Sequence, residues 1–540
     1  MPPNPDSSSP RPPLQVALIS LGCAKNLVDA EIMLGALARE GILITPEPAL
    51  ADVLIVNTCS FIDAAKEESI DTILEHSEVR QAQHRGQALV VAGCLPQRFQ
   101  KELPALMPEI DAFMGLDQVT QVPAIVRKAL DHRNQRPTHS RQTRRSGSPA
   151  AGRLATKPDR APLLITHPRS TFIPDYATPR FRLTPAHFAY VKVAEGCNHP
   201  CSFCIIPRIR GAHRSRTRSD VVAECRRLLT EGVRELNLIS QDTTYFGLDR
   251  RQQRMGPAAS PTQFQKARQL LPASADTLEG LLGELNALPG EFWIRILYTH
   301  PAHWTDSLID TLARCPHVAR YIDIPLQHIH PVMLERMRRE TTREYLEDLL
   351  LRLRQRIPGI ALRTTFIVGF PGETDEHFEA LLDFMKRLRF ERLGVFTFSA
   401  EEGTRAARMG GQVPEKIKKQ RRDCAMQLQR EIARQIGAAM VGKSLRVLLE
   451  TPVRNSAQLA AEVRSWEHGL VRDVDQHHLP GRGQWWVARS EADAPDIDGR
   501  VYVRGGHTLE PGQFADVRVI GHTDYDLIAE FRGTDVGKQR

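Results

Sequence analysis

Short continuous apolar runs alternate with amphipathic stretches along most of this chain. In the first third, runs at 14–20, 52–57 and 88–93 read as buried strands, and apolar positions at helical spacing follow at 26–40 and 64–76. The alternation resumes further on, with strands expected at 188–193, 235–239, 293–298, 321–324, 361–368 and 392–398. Helical patterns fall between them at 219–230, 278–288, 331–339, 345–356 and 373–388. Strands alternating with helices predict parallel sheets: an N-terminal open parallel α/β domain, then a central (β/α) barrel, partial or full. A basic helix at 416–434 leads into short, evenly spaced strand-like runs ending near 521, the pattern of a small antiparallel β-barrel. No apolar run approaches the roughly 18 residues that span a bilayer, so no membrane is expected as a partner and a cytoplasmic location is.

Composition shifts mark the boundaries. Residues 1–13 are rich in Pro and Ser and read as a disordered tail, with the first domain at 14–130. Residues 131–180 read as a basic, flexible linker, 181–437 as the central domain with a Gln/Arg/Pro/Ser-rich surface insertion at 247–275, and 440–532 as the last domain. The net charge of +8 suggests nucleic acid until its distribution is considered. Eight Lys/Arg against one acidic residue give 133–160 a charge of +7, in a stretch with no periodicity, so it reads as a solvated tether. Over 441–532, eleven Lys/Arg stand against fourteen Asp/Glu, which on average repels phosphate and suits a basic protein partner. Trp485 and Trp486 read as barrel core rather than as platforms for bases.

Nine cysteines in 540 residues are too few for a disulfide scaffold and suit metal binding in a reducing compartment. Cys225, Cys315 and Cys424 have no partners in the pattern and read as ordinary buried thiols. Cys197, Cys201 and Cys204 share one short loop after the strand at 188–193. Three thiolates at C-x3-C-x2-C spacing can hold three irons of a cubane cluster and leave the fourth open. Zinc is the alternative, but it wants four ligands, and His199 is too close in sequence to serve comfortably as the fourth. Cys23, Cys59 and Cys94 follow the first domain's three strands. In a parallel sheet all three emerge on the carboxyl edge, where open α/β sheets carry ligands, which points to a second site of the same kind.

The loop Glu195-Gly-Cys-Asn-His-Pro-Cys-Ser-Phe-Cys204 resembles that of the radical S-adenosylmethionine (SAM) enzymes. Leu21-Gly-Cys-Ala-Lys-Asn26, Asn57-Thr-Cys-Ser-Phe61 and Gly93-Cys-Leu-Pro-Gln-Arg98 resemble the amino-terminal domain of the methylthiotransferase branch of that superfamily. Lys25-Asn26, Phe61, Asp323-Ile-Pro-Leu-Gln-His328 and Glu401-Glu-Gly-Thr404 are similar to its ribosomal-protein branch, the RimO type, and the last domain resembles a TRAM domain. The resemblance implies two 4Fe–4S clusters, an auxiliary one on Cys23, Cys59 and Cys94 and one that binds SAM on Cys197, Cys201 and Cys204. The turn with Gly369, Gly372 and Glu373 resembles the family's SAM-contacting loop, and Ser240, Gln241 and Asp242, at a strand end of the barrel mouth, are expected to bind the cofactor with it, while His300, Gln327 and His328 are further polar groups at strand ends. No residue is assigned as an acid–base catalyst, and His328 is not put forward as one. The implied reaction is methylthiolation of the β-carbon of an aspartate in small-subunit ribosomal protein twelve. One SAM methylates sulfur on the auxiliary cluster and a second gives the 5′-deoxyadenosyl radical that abstracts hydrogen. An electron donor such as flavodoxin or ferredoxin is an implied partner. The alternatives are the same chemistry on an adenosine of tRNA, a substrate the last domain's charge disfavours, and a non-catalytic iron–sulfur carrier or sensor that binds ribosomes.

Overall fold

Valine, leucine and isoleucine leave no polar face on the strands expected at 52–57 and 88–93, and such strands are stable only with both faces covered. The structure, a computed structural model, describes residues 13–83, 86–135, 161–251, 258–272, 274–453, 484–505 and 509–532. The chain divides into two units, the first made of Met1–Phe172, Ala177–Leu183 and Arg208–Arg210, the second of the remainder.

In the first unit, β1 (Gln15–Ser20), β2 (Leu43–Ile44), β3 (Val53–Thr58), β4 (Ala88–Gly93), β5 (Ala112–Met114) and β6 (Leu163–Ile165) form one sheet. Its order is β2-β1-β3-β4-β5-β6 and every neighbouring pair is parallel. Every residue of β3 and β4 is buried, as their composition requires. Leu54, Val56, Leu89, Val91 and Phe113 pack with Ile73 of the helix Asp63–Gln83. The stretch expected to be linker is partly structured: β6 pairs with β5, and Ser170, Thr171 and Phe172 close on the Asp117 carboxylate with hydrogen bonds of 2.7–3.1 Å. Three residues are too few for alternation to show, which is why β6 escaped the pattern. Of the expected tail, residues 1–12, and of the basic linker, residues 136–160, lie outside the described residues.

In the second unit, β7 (Phe188–Lys192) is followed by a two-residue antiparallel ladder of β8 (Ala194–Glu195) with β9 (Arg214–Ser215). Then come β10 (Glu235–Ile239), β11 (Trp293–Ile296), β12 (Val318–Asp323), β13 (Ala361–Val368) and β14 (Arg392–Thr397). Strands β7 and β10–β14 form a parallel sheet in sequence order. This is the partial form of the expected barrel, since among the described residues no ladder joins β14 to β7. The expected insertion at 247–275 contains the helix Pro261–Gln269, whose Phe264 and Ala267 pack with Tyr245 and Leu248 in a buried cluster. It is therefore partly core. Residues 252–257 and 273 of it are outside the described residues.

The helix Glu415–Met440 leads to β15 (Ser444–Val453), β16 (Trp485–Ser490), β17 (Val501–Arg504), β18 (Phe514–His522) and β19 (Leu527–Phe531), which close in the order β15-β16-β17-β19-β18. The barrel is not wholly antiparallel, because β17 and β19 run parallel. Trp485 and Trp486 are buried, as expected of core. So are Cys225 and Cys315, but Cys424 is exposed on the helix before the barrel, a correction to its reading as a buried thiol. That helix buries one stripe only, and Cys424 falls outside it. Barrel and sheet meet through buried ions: Arg489 of β16 reaches Glu235 of β10 at 2.5 Å, and Glu235 also holds Arg295 of β11 at 2.7 Å. Glu235, Trp293 and Arg392, the first residues of their strands, meet Arg489, Phe514 and Asp493 of the barrel segment. The barrel therefore covers the amino-terminal edge of this sheet and leaves the carboxyl edge to the cysteine loop.

Candidate metal centres

Cys23, Cys59 and Cys94 each follow directly, or within three residues, the carboxyl ends of β1, β3 and β4, three strands adjacent in the sheet. All three are free thiols. Their loops touch. Gly22, at φ +86°, lies so close to Cys59 that a β-carbon there would fall 2.7 Å from Cys59 Cβ and 3.1 Å from its sulfur. Asn26 ties the loops together, its Nδ2 donating to Leu21 O at 2.9 Å and to Thr58 O at 2.8 Å, while Asn57 Nδ2 donates to Asn26 O at 2.8 Å. The same unit contains Arg210, whose buried guanidinium donates to Asn26 Oδ1 at 2.8 Å and Asp29 at 3.1 Å and lies 3.5 Å from Cys94 Sγ. Burial pushes the Cys94 thiol up, Arg210 counters it, and Cys23 adds to it. Three free thiols on adjoining loops are the soft donors that a thiophilic iron site takes.

In the second unit the β8–β9 ladder clasps the base of the loop that carries Cys197, Cys201 and Cys204. Gly196 (φ +83°) makes that turn possible, since a β-carbon would stand 2.2 Å from Ala212 O. Burial pushes the Cys197 thiol well up, with Asp242, Cys204 and Cys201 adding to it; burial and Cys201 push Cys204 to about 12. Two buried thiols held protonated in this way ionise together only beside a cation, which is what a metal cluster supplies. Arg339, itself buried, approaches Cys201 Sγ at 3.7 Å and anchors on Pro325 O at 2.6 Å. His199 turns its Nε2 to Asp242 at 2.8 Å.

The strand-end residues expected to contact a cofactor are mostly engaged inward. Ser240 Oγ accepts from Asp242 N at 3.0 Å, and Gln241 Nε2 donates to Glu195 Oε1 at 2.6 Å, while Glu195 Oε2 pairs with Lys192 at 2.7 Å. Asp242 receives Thr244 Oγ1 at 2.7 Å and lies 2.9 Å from His303 Nδ1 besides its bond to His199. Burial alone would raise its carboxyl; His303 and His199 outweigh that and hold it well below the usual range. Burial also pulls His199 down to about 4, against the opposing pull of Asp242. Gly369 (φ +70°) and Gly372 (φ +83°) are required by the protein's own packing: β-carbons there would stand 2.3 Å from Lys418 Cγ and 3.0 Å from the Arg336 guanidinium. Glu373 is buried, accepting from Arg421 at 3.0 Å and the Gly369 amide, with His328 Nε2 3.3 Å away. His328 is thus a satisfied core histidine. His300, at the end of β11, stacks on His199 at 3.6 Å, while Gln327 bridges to Phe366 of β13.

Sequence reasoning did not single out Asn26, Arg210, Arg339 or the His199–Asp242–His303 group as supports. Asn26 lies inside the quoted stretch around Cys23 and Arg210 six residues beyond Cys204, but their partners are up to 184 residues away, and nothing local announces them.

The family described as Uncharacterized protein family UPF0004 matches residues 15–115, the Radical SAM superfamily 191–385 and the TRAM domain 474–531. A relative from Opitutus terrae, named ribosomal protein uS12 methylthiotransferase RimO, is 52% identical over 96% of this chain and 96% of its own. One of the same name from Akkermansia muciniphila is 46% identical over 96% of this chain and all of its own, and one from Pelotomaculum thermopropionicum is 42% identical over 96% and 99%. Among solved structures, the radical S-adenosylmethionine methyltransferase TsrM from Kitasatospora setae aligns with a TM-score of 0.45 at 15% identity, over 71% of this chain and 73% of that one.

Proposed function

Because the chain belongs to the RimO family of ribosomal protein uS12 methylthiotransferases, we propose that it methylthiolates the β-carbon of an aspartate in uS12 by radical SAM chemistry. The observation that carries the reading is the repeated device: two sets of three free cysteines, one at the ends of three adjacent strands, the other on a single clasped loop. On this reading Cys23, Cys59 and Cys94 hold an auxiliary 4Fe–4S cluster, and Cys197, Cys201 and Cys204 hold the one that binds SAM. When bound, these groups and SAM supply the hydrogen-abstracting radical and the methylthio group. The chain's own residues do the rest. Gly22 and Gly196 let the loops close, and Asn26 and Asn57 fix the spacing of the first set. Arg210 and Arg339 each bring a guanidinium to the sulfurs of one set. The turns at 240–242 and 369–373 face SAM mainly through backbone, since their side chains are committed inward.

The auxiliary-cluster domain spans 14–130, the radical SAM domain 181–437 and the TRAM domain 440–532, with a flavodoxin or ferredoxin as reductant and the cytoplasm as the place of work. The test uses anaerobically reconstituted protein with reductant, SAM and a sulfur source, offered a uS12 peptide and, separately, unmodified tRNA. Mass spectrometry is expected to find a methylthio increment on the peptide's aspartate and none on tRNA. Modification of tRNA alone would overturn the substrate.

A further inference from the structure

We propose that Asp242 and Arg339 act as positioning residues of opposite charge on the Cys197/Cys201/Cys204 site, and that between them they set the potential at which it accepts an electron. The inference rests on the reading of those cysteines as cluster ligands.

Asp242 stands at the carboxyl end of β10, buried, and reaches the cysteine loop through one side chain. His199, which lies between Cys197 and Cys201, gives it Nε2 at 2.8 Å, and the backbone amide of the same residue points at Cys197 Sγ from 3.5 Å. Thr244 and His303 fix the carboxylate from the other directions, at 2.7 and 2.9 Å. His303 is itself held, with Nε2 2.7 Å from Ala258 O and its ring stacked on Phe264 at 4.4 Å. Arg339 delivers the opposite charge: Nη1 lies 3.7 Å from Cys201 Sγ, and its buried Nε has no hydrogen-bond partner among the described residues. The carboxylate acts on Cys197 and the guanidinium on Cys204.

Three buried histidines and a carboxylate invite a metal instead, and the ligating nitrogens of His199, His300 and His303 lie within 4.8 Å of one another. The rings decide against it. His199 and His300 stack at 3.6 Å with only 12° between their planes, so their nitrogens point in parallel and cannot converge on one ion at bonds of about 2.0–2.1 Å. The group is a braced electrostatic support.

The sign follows from charge. Taking up an electron makes the site more negative; a fixed anion nearby opposes this and a fixed cation favours it, both strengthened by burial. A merely structural role for either residue would loosen the loop and move both variants the same way.

The test is an EPR-monitored redox titration, without SAM, of the full-length protein carrying Cys23→Ala, Cys59→Ala and Cys94→Ala, so that one cluster is read. Asp242→Asn is expected to move the midpoint potential positive and Arg339→Gln to move it negative, at unchanged iron content, with Asp242→Glu near the parent. Shifts of one sign, or unmoved potentials in iron-loaded variants, would overturn the inference alone. If the parent binds no iron, the cysteine assignment itself fails and takes the inference with it.

Discussion

Arg210 is where one side chain carries most. Its guanidinium is buried and faces Asp29, Asn26 and Cys94 at once. Removing one partner of a buried ion pair typically costs about 3–5 kcal/mol, because the other charge stays buried short of its counter-ion. Arg210→Met is therefore expected to lower stability by about 3 kcal/mol in urea unfolding and to cut the iron bound by a protein in which only the Cys23 set is intact. Arg210→Lys restores the charge without the fork and is expected to recover part of the stability only. An unchanged unfolding midpoint in Arg210→Met would show that the pair contributes nothing. The cysteines were legible at this scale because spacing and repetition mark them. Their supports were not, since Arg210 and Arg339 gain meaning only through partners distant in sequence. Gly369 and Gly372 were singled out for a cofactor, whereas the structure shows a further reason for glycine there: Lys418 and Arg336 occupy the space a side chain would need.

At the scale of elements, the long apolar strands were readable and the short ones were not. Strands β3 and β4 are six residues each, apolar over most of their length, whereas β2, β8 and β9 are two residues each and exist only by pairing. The helix Pro261–Gln269 did announce itself, through Ser260 and Gln263 in a capping box with proline at the first turn, but its polar composition read as loop. The ion network joining barrel to sheet gives a pH prediction. Burial raises the Glu450 carboxyl, but Arg489 and His187 outweigh it and bring it down to about 2. A carboxyl whose folded pKa is depressed contributes stability that is fully present above its unfolded pKa and lost as pH falls through the folded value. Between about pH 4.5 and 2 the protein is thus expected to lose up to ~3 kcal/mol through this group alone. Acid titration followed by intrinsic tryptophan fluorescence, which Trp485 and Trp486 report, checks it. Glu450→Gln is expected to start less stable at pH 7 and to show a shallower acid limb. A limb as steep as the parent's would assign the loss to other carboxylates.

For the whole molecule, charge distribution says more than net charge. The +8 is concentrated: 133–160 carries +7, while the TRAM-containing stretch 441–532 carries −3. Proteins that bind RNA tightly release counterions, and one that neutralises six to ten phosphates loses about 10³–10⁵ in affinity between about 50 and 200 mM salt. If the last domain held tRNA, that slope would be a property of 441–532. The expectation is otherwise. tRNA binding is expected to be weak, and what slope it shows should vanish when the eight Lys/Arg of 133–160 are replaced by glutamine. Association with uS12, a basic partner drawn to an acidic surface, is expected to slow as salt rises and to keep its slope in that variant. Stopped-flow association rates for both partners, in parent and variant, separate the cases. A steep tRNA slope that survives the replacement would place RNA on the rest of the chain and reopen the tRNA substrate. A uS12 slope lost with the eight cations would place the salt-sensitive step on 133–160 and overturn the steering assigned to the acidic stretch 441–532.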